Sequence, residues 1–174
     1  MKYTGWLLAF GLAATAGAAP LRVAVVPAQR TLAGMDRIDD ATRLNICLSL
    51  HLQERLARTP GVLVLSEPWS RAVFTELNSR KWSHPAADFH ARFSAQAPVD
   101  AVIDVTLEPG QLVCRLYDGG RNPRLSLPCP SNTPALRLAP AVAEFLAREL
   151  KLDAAAASVL CAPEAADPAV FDAC

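Results

Sequence analysis

The chain has no excess of either charge. Its 17 lysines and arginines balance 17 aspartates and glutamates, for a formal net charge of zero at pH 7. That balance removes the global attraction for nucleic acid or anionic lipid that a basic chain would carry. Histidine is scarce, with three in 174 residues. The sequence has no Walker-type lysine, no Gly-x-Ser-x-Gly and no His-Glu-x-x-His, so it carries no motif for a phosphate cradle, an acyl-transfer elbow or a zinc protease. Gly119-Gly120 is too short a glycine run to cradle a phosphate. No internal repeat is visible. Beyond the first segment, no stretch is apolar enough to span ~30 Å of hydrocarbon. What remains is one domain's worth of polypeptide, 18.6 kDa and 52% hydrophobic, enough to build a core.

The amino terminus reads as an export signal. Lys2 supplies a positive start, Trp6 to Leu12 an apolar stretch, and Ala16-Gly17-Ala18 a small-x-small cleavage site followed by Pro20. Cleavage is expected after Ala18 or after Ala16. No cysteine ends the apolar run, so lipid attachment there is not expected. Removal of Lys2 leaves 16 basic against 17 acidic residues, a net charge of −1. The mature protein is expected in the periplasm or outside the cell, with no membrane span.

Local patterns then alternate between strand and helix. Leu21 to Val26 is β-branched and apolar, a buried strand stopped by Pro27. Ala28 to Ile38 reads as a loop. Asp39 or Asp40 caps a helix with Leu44, Cys47, Leu48, Leu52 and Leu56 at helical spacing and Ile46 and Leu50 beside them. Pro60-Gly61 stops it, and Val62 to Leu65 forms the next strand. Pro68 opens a second helix with Trp69, Val73 and Leu77 as its stripe. Ala86, Phe89, Phe93 and Ala97 mark a third. Val99 to Leu107 alternates as a strand. Leu112 to Tyr117 and Arg124 to Leu127, around Asp118-Gly119-Gly120, read as a hairpin. A last helix is expected from Pro140, with Val142, Phe145, Leu146 and Leu150 inside and Glu144 pairing Arg148 outside. The expected fold class is α/β: a mixed β-sheet with packed helices, in the order β-α-β-α-α-β-β-β-α. Residues 20–152 are expected to form that domain. Residues 153–174 read as an alanine-rich tail, with the start of a further helix at Asp167 to Phe171.

Five pieces together match a family pattern: Arg22-Val23-Ala24-Val25-Val26-Pro27, Leu52-Gln53-Glu54-Arg55-Leu56, Pro60 to Ser66, Ala72 to Leu77, and Pro98-Val99-Asp100-Ala101-Val102-Ile103. The chain resembles the envelope domain at the amino end of TolB and the related domain of CsgG-type curli secretion proteins. Ala28 stands where that family usually has phenylalanine, Pro98-Val99 replaces Gly-Ala, and Asp104 replaces a glycine. CsgG's lipidation cysteine and TolB's propeller have no counterpart. The resemblance implies an accessory or protein-binding module of the cell envelope without enzymatic activity. It carries no catalytic residue, cofactor or metal to transfer. A small-ligand sensor with a cleft at the strand ends is the alternative. The expected partner is another envelope protein, not nucleic acid.

Five cysteines remain: Cys47, Cys114, Cys129, Cys161 and Cys174. Exported thiols tend to pair. Cys114 and Cys129 flank the hairpin, although a simple register sets Cys114 opposite Leu127, so a bridge needs a bulge or a kink at Pro128. Cys161 and Cys174 are the second candidate pair. Cys47 reads as a buried thiol on an apolar helix face. Cys47 and His51, four apart, have metal-ligand and nucleophile-base spacing, but lack further ligands and an oxyanion site. Asp100, Asp104 and Glu108 share one strand face, where they could hold a cation or pair with arginines across the sheet. Arg115, Arg121 and Arg124 make the hairpin basic and are the candidate partner-binding residues.

Overall fold

The computed structural model describes residues 19–26, 40–79, 89–130, 133 and 135–163. The export signal, the Ala28 to Ile38 loop, Ala86, Cys174 and the helix start near Asp167 lie outside them. Ten elements follow in chain order: β1 (Leu21–Val25), α1 (Asp40–Arg58), β2 (Val62–Val64), α2 (Glu67–Ser79), α3 (Phe89–Gln96), β3 (Ala101–Glu108), β4 (Gln111–Tyr117), β5 (Arg124–Pro128), α4 (Ala135–Glu149) and α5 (Ala154–Cys161). This is the mixed α/β architecture that the hydrophobic periods indicate, with one more helix at the end.

The strands form one five-stranded sheet in the order β2-β1-β3-β4-β5. β1 pairs in parallel with β2 and β3, whereas β3, β4 and β5 run antiparallel. The step from β1 to β2 and the step from β2 to β3 go in opposite directions across the sheet. Crossovers of one hand then put their helices on opposite faces. Accordingly Leu48, Leu52 and Leu56 of α1 join Val23, Val25 and Ile103 on one face, with Val142 and Leu146 of α4 and Leu160 of α5. Val73, Phe74 and Phe93 of α2 and α3 join Ala24, Val26, Val102 and Tyr117 on the other.

Several side chains depart from the expected stripes. Trp69 is 61% exposed, and Ser70, Val73 and Phe74 turn inward in its place. Leu50 is exposed on α1. α4 begins five residues before Pro140 and holds that proline inside. Arg148 bonds Glu149 at 3.0 Å instead of Glu144, and lies 5.7 Å from the Phe145 ring centre.

α5 belongs to the domain rather than to a tail. Asp153 caps it by accepting the Ala156 N–H at 2.8 Å. Ala156 and Leu160 are buried. Arg55 reaches from α1 to the other end and donates to the carbonyls of Val159 (3.0 Å), Leu160 (2.8 Å) and Ala162. A cation on those orphan carbonyls also suits the negative end of the helix. Among the described residues, no helix is long and apolar enough to cross a membrane.

Candidate functional site

The hairpin takes its register from two glycines. Asp118 and Arg121 bond each other's backbone at 3.3 Å, so the turn is Gly119-Gly120 alone. Both glycines have positive φ, +59° and +147°, which a side chain would resist. Counting outward from that turn sets Arg115 opposite Arg124, Cys114 opposite Leu125 and Leu112 opposite Leu127. On the facing pair, Asp104 lies opposite Arg115.

That register gathers charge on one face. Asp104 is 1% exposed. Arg115 runs along β3, donating to Thr106 Oγ1 at 2.7 Å, to Asp104 at 3.5 Å and to Glu108. Arg124 donates to Glu108 at 3.2 Å and to Ser126 Oγ at 3.1 Å, and Gln111 donates to Glu108 at 3.0 Å. The hydrogen bond from Arg115 holds the Glu108 carboxyl below its usual range, against the opposing effect of burial. Arg121 bonds Asp118 and also the Glu149 carbonyl at 3.3 Å, tying the hairpin tip to α4. The three arginines nominated from the sequence are thus brought together on the hairpin. Each one spends its charge on a neighbour within the chain. Of the three carboxylates, Asp104 and Glu108 meet these arginines. Asp100 instead bonds Arg22 through its backbone N–H (2.8 Å) and its guanidinium (3.0 Å). Among the described residues, no group of three metal-ligating side chains converges.

The cysteines stay apart. The ladder continues regularly past Pro128, and the Cys129 N–H donates to the Gly110 carbonyl at 2.9 Å. Cys129 therefore sits opposite Gly110, four residues along β4 from Cys114, or ~13 Å at strand rise. Bridged Cα atoms lie within about 7 Å. The expected Cys114–Cys129 bond is absent, and both thiols are buried. The error was one of register: the turn was read as longer than two residues. Among the described residues Cys47 and Cys161 form no disulfide, and the candidate partner of Cys161, Cys174, lies outside them. Burial, then the Cys114–Asp104 charge interaction, pushes the Cys114 thiol far up. Burial followed by Glu144 raises Cys161. A thiol held protonated is a poor nucleophile.

A pocket with a cavity volume of about 150 Å³ lies between α1, α4 and α5, with His51, Arg55, Ala143, Leu160 and Cys161 in its wall. Cys47 is buried and is not among the residues in that wall.

The two outer strands of the sheet differ in character. On β5 the backbone bonds of Pro123 and Cys129 to β4 show that Leu125, Leu127 and Cys129 face their backbone inward. Arg124, Ser126 and Pro128 therefore face theirs outward. On β2, Leu21 donates to Gly61 and Leu65 to Val23, so residues 61, 63 and 65 face β1. Val62 and Val64 turn their backbone outward. The Leu63 side chain is 55% exposed. From Gly61 to Ser66 there is no charge and no proline. Sequence reading considered the hairpin edge and did not single out this strand. The available signal was an apolar strand lacking any of the charges or prolines that usually guard an edge.

Comparison with protein-family models, curated proteins and solved structures gives no match.

Proposed function

We propose that the chain is an exported, non-enzymatic interaction or assembly module of the cell envelope that takes its partner by strand addition along β2. The observation that carries this reading is the unguarded β2 edge, free of charge and proline from Gly61 to Ser66, with Leu63 exposed beside it. Strand addition uses outward backbone groups for affinity and alternate side chains for specificity. Export is supported by Lys2, the apolar stretch to Leu12 and the Ala16-Gly17-Ala18 site. The TolB-like motifs point to the same compartment. Among the described residues, the small-ligand alternative finds a pocket of about 150 Å³, below the several hundred Å³ of ordinary ligand sites.

A photo-crosslinking residue at position 63, introduced in cells that export the protein, tests the reading. Crosslinking to another polypeptide is expected at 63 and not at 124, and it should be lost when Val64→Pro is added. Crosslinks that form only at 124, or survive Val64→Pro, would overturn it. Export is checked by the intact mass of the recovered protein, which should begin at Ala19 or Gly17. A main species starting at Met1 would reject it.

A further inference from the structure

The outward groups of β2 form a self-complementary set. Val62 already donates its N–H to the Thr59 carbonyl at 3.2 Å, and the Ser66 carbonyl already accepts from the Ser70 N–H at 2.9 Å. Among the described residues, the remaining outward groups are the Val62 carbonyl, the Val64 N–H and carbonyl, and the Ser66 N–H in the same alternation. A two-fold axis at Val64, with a second copy running antiparallel, uses all of them. Val64 and its counterpart exchange two N–H···O bonds, and each Ser66 N–H meets the other copy's Val62 carbonyl. On the same register Leu63 faces Leu65 of the second copy, which would cover the 55% exposed leucine with an apolar neighbour. No charge lies between Gly61 and Ser66, so self-pairing sets no like charges opposite each other.

Charge and proline on the other edge remove the competing arrangement. Pairing β2 of one copy with β5 of the next would be head-to-tail and would build a ring or an open fibre. Pro128 offers no N–H on the outer side of β5, and Arg124 is charged there. β2 against β2 is isologous and closes at two copies. We infer that the partner on the β2 edge is a second copy of this chain, joined about Val64 into one continuous ten-stranded sheet, five strands from each copy. This inference rests on the docking role proposed for that edge.

The test is the mass of the purified mature protein in solution, by light scattering across a dilution series, with amide exchange read at Val64 and Ser66. Twice the chain mass is expected, with both amides protected at high concentration and exposed on dilution. Val64→Pro removes the N–H that crosses the axis and should leave monomers. Leu63→Arg should do the same; its side chain is exposed, so it keeps the test alive if the proline variant does not fold. Arg124→Ala on the opposite edge should leave the dimer intact. A monomer at every concentration overturns the inference. If position 63 still crosslinks an envelope protein in that case, the docking role stands with a different occupant. A dimer that survives both β2 variants overturns the inference as well, because the contact then lies elsewhere.

Discussion

The two halves of the sheet are held by different physics. β2, β1 and β3 run parallel under α1 on one face and under α2 and α3 on the other, so their residues are mostly apolar. β4 and β5 are tied to β3 by short turns and carry a ladder of ion pairs on one face. The halves also end differently. β5 presents Arg124, Ser126 and Pro128 outward, the devices that keep an edge from pairing. β2 presents only Val62 and Val64. Among the described residues one end is protected and the other is not, and the proposed pairing rests on that contrast.

Four measurements can break or sharpen that contrast. The largest effect is expected at Arg115. Replacing it with methionine leaves Asp104, 1% exposed, without its facing guanidinium. Removing one partner of a buried ion pair costs ~3–5 kcal/mol, and a double change with Asp104→Leu should recover much of it. If the single variant is as stable as the parent, the hairpin half is not held by charge. Next comes Leu48, buried on α1 against the parallel strands. Leu48→Ala should cost about 2–5 kcal/mol in denaturant unfolding, and a loss below ~0.5 kcal/mol would mean that its side chain is not in the core.

A pH titration reads a smaller effect. Glu108 has a carboxyl value lowered by Arg115 first, with Arg124 and Gln111 also contributing. A lowered folded value means that its contribution is present above the ordinary carboxylate value of about 4.3 and is lost as pH falls through the lower folded value. Glu108→Gln should therefore flatten the acid limb of stability below that range and leave the neutral region little changed. An unaltered acid limb would detach Glu108 from the ladder. The smallest effect on folding is expected at Arg121 and Arg124, which are both about half exposed. Changing both to glutamate should shift stability by no more than ~1 kcal/mol and leave association unchanged, because partner pairing is assigned to β2. Loss of association in that variant would return the docking role to the hairpin.

Much of the architecture was legible because it is local. Leu48, Leu52 and Leu56 repeat at helical spacing and lie on one buried face, and Pro60-Gly61 ends that helix with Gly61 at φ +74°. The alternation from Ala101 to Leu107 sends Ala101, Ile103 and Val105 into the core. The cross-strand meeting of carboxylates and arginines could also be anticipated, since Asp104 and Arg115 flank a Pro109-Gly110 turn at equal distance. Trp69 misled because a helical period identifies a stripe without fixing how wide the covered face is. α2 packs on β1 and α3, and Ser70, Val73 and Phe74 form its buried side.

By itself the sequence determined the elements from β1 to α4 and their order, because each depends on interactions within a few residues. Tertiary structure alone decided the rest. A two-residue turn at Gly119-Gly120 fixed a register that separates Cys114 from Cys129. Packing across 105 residues brought Arg55 to the end of α5 and drew that helix into the domain. Strand order made β2 an edge, and the parity of its bonds to β1 turned Val62 and Val64 outward. Register, edge position and backbone parity arise from pairings between distant segments, and no local period carries them.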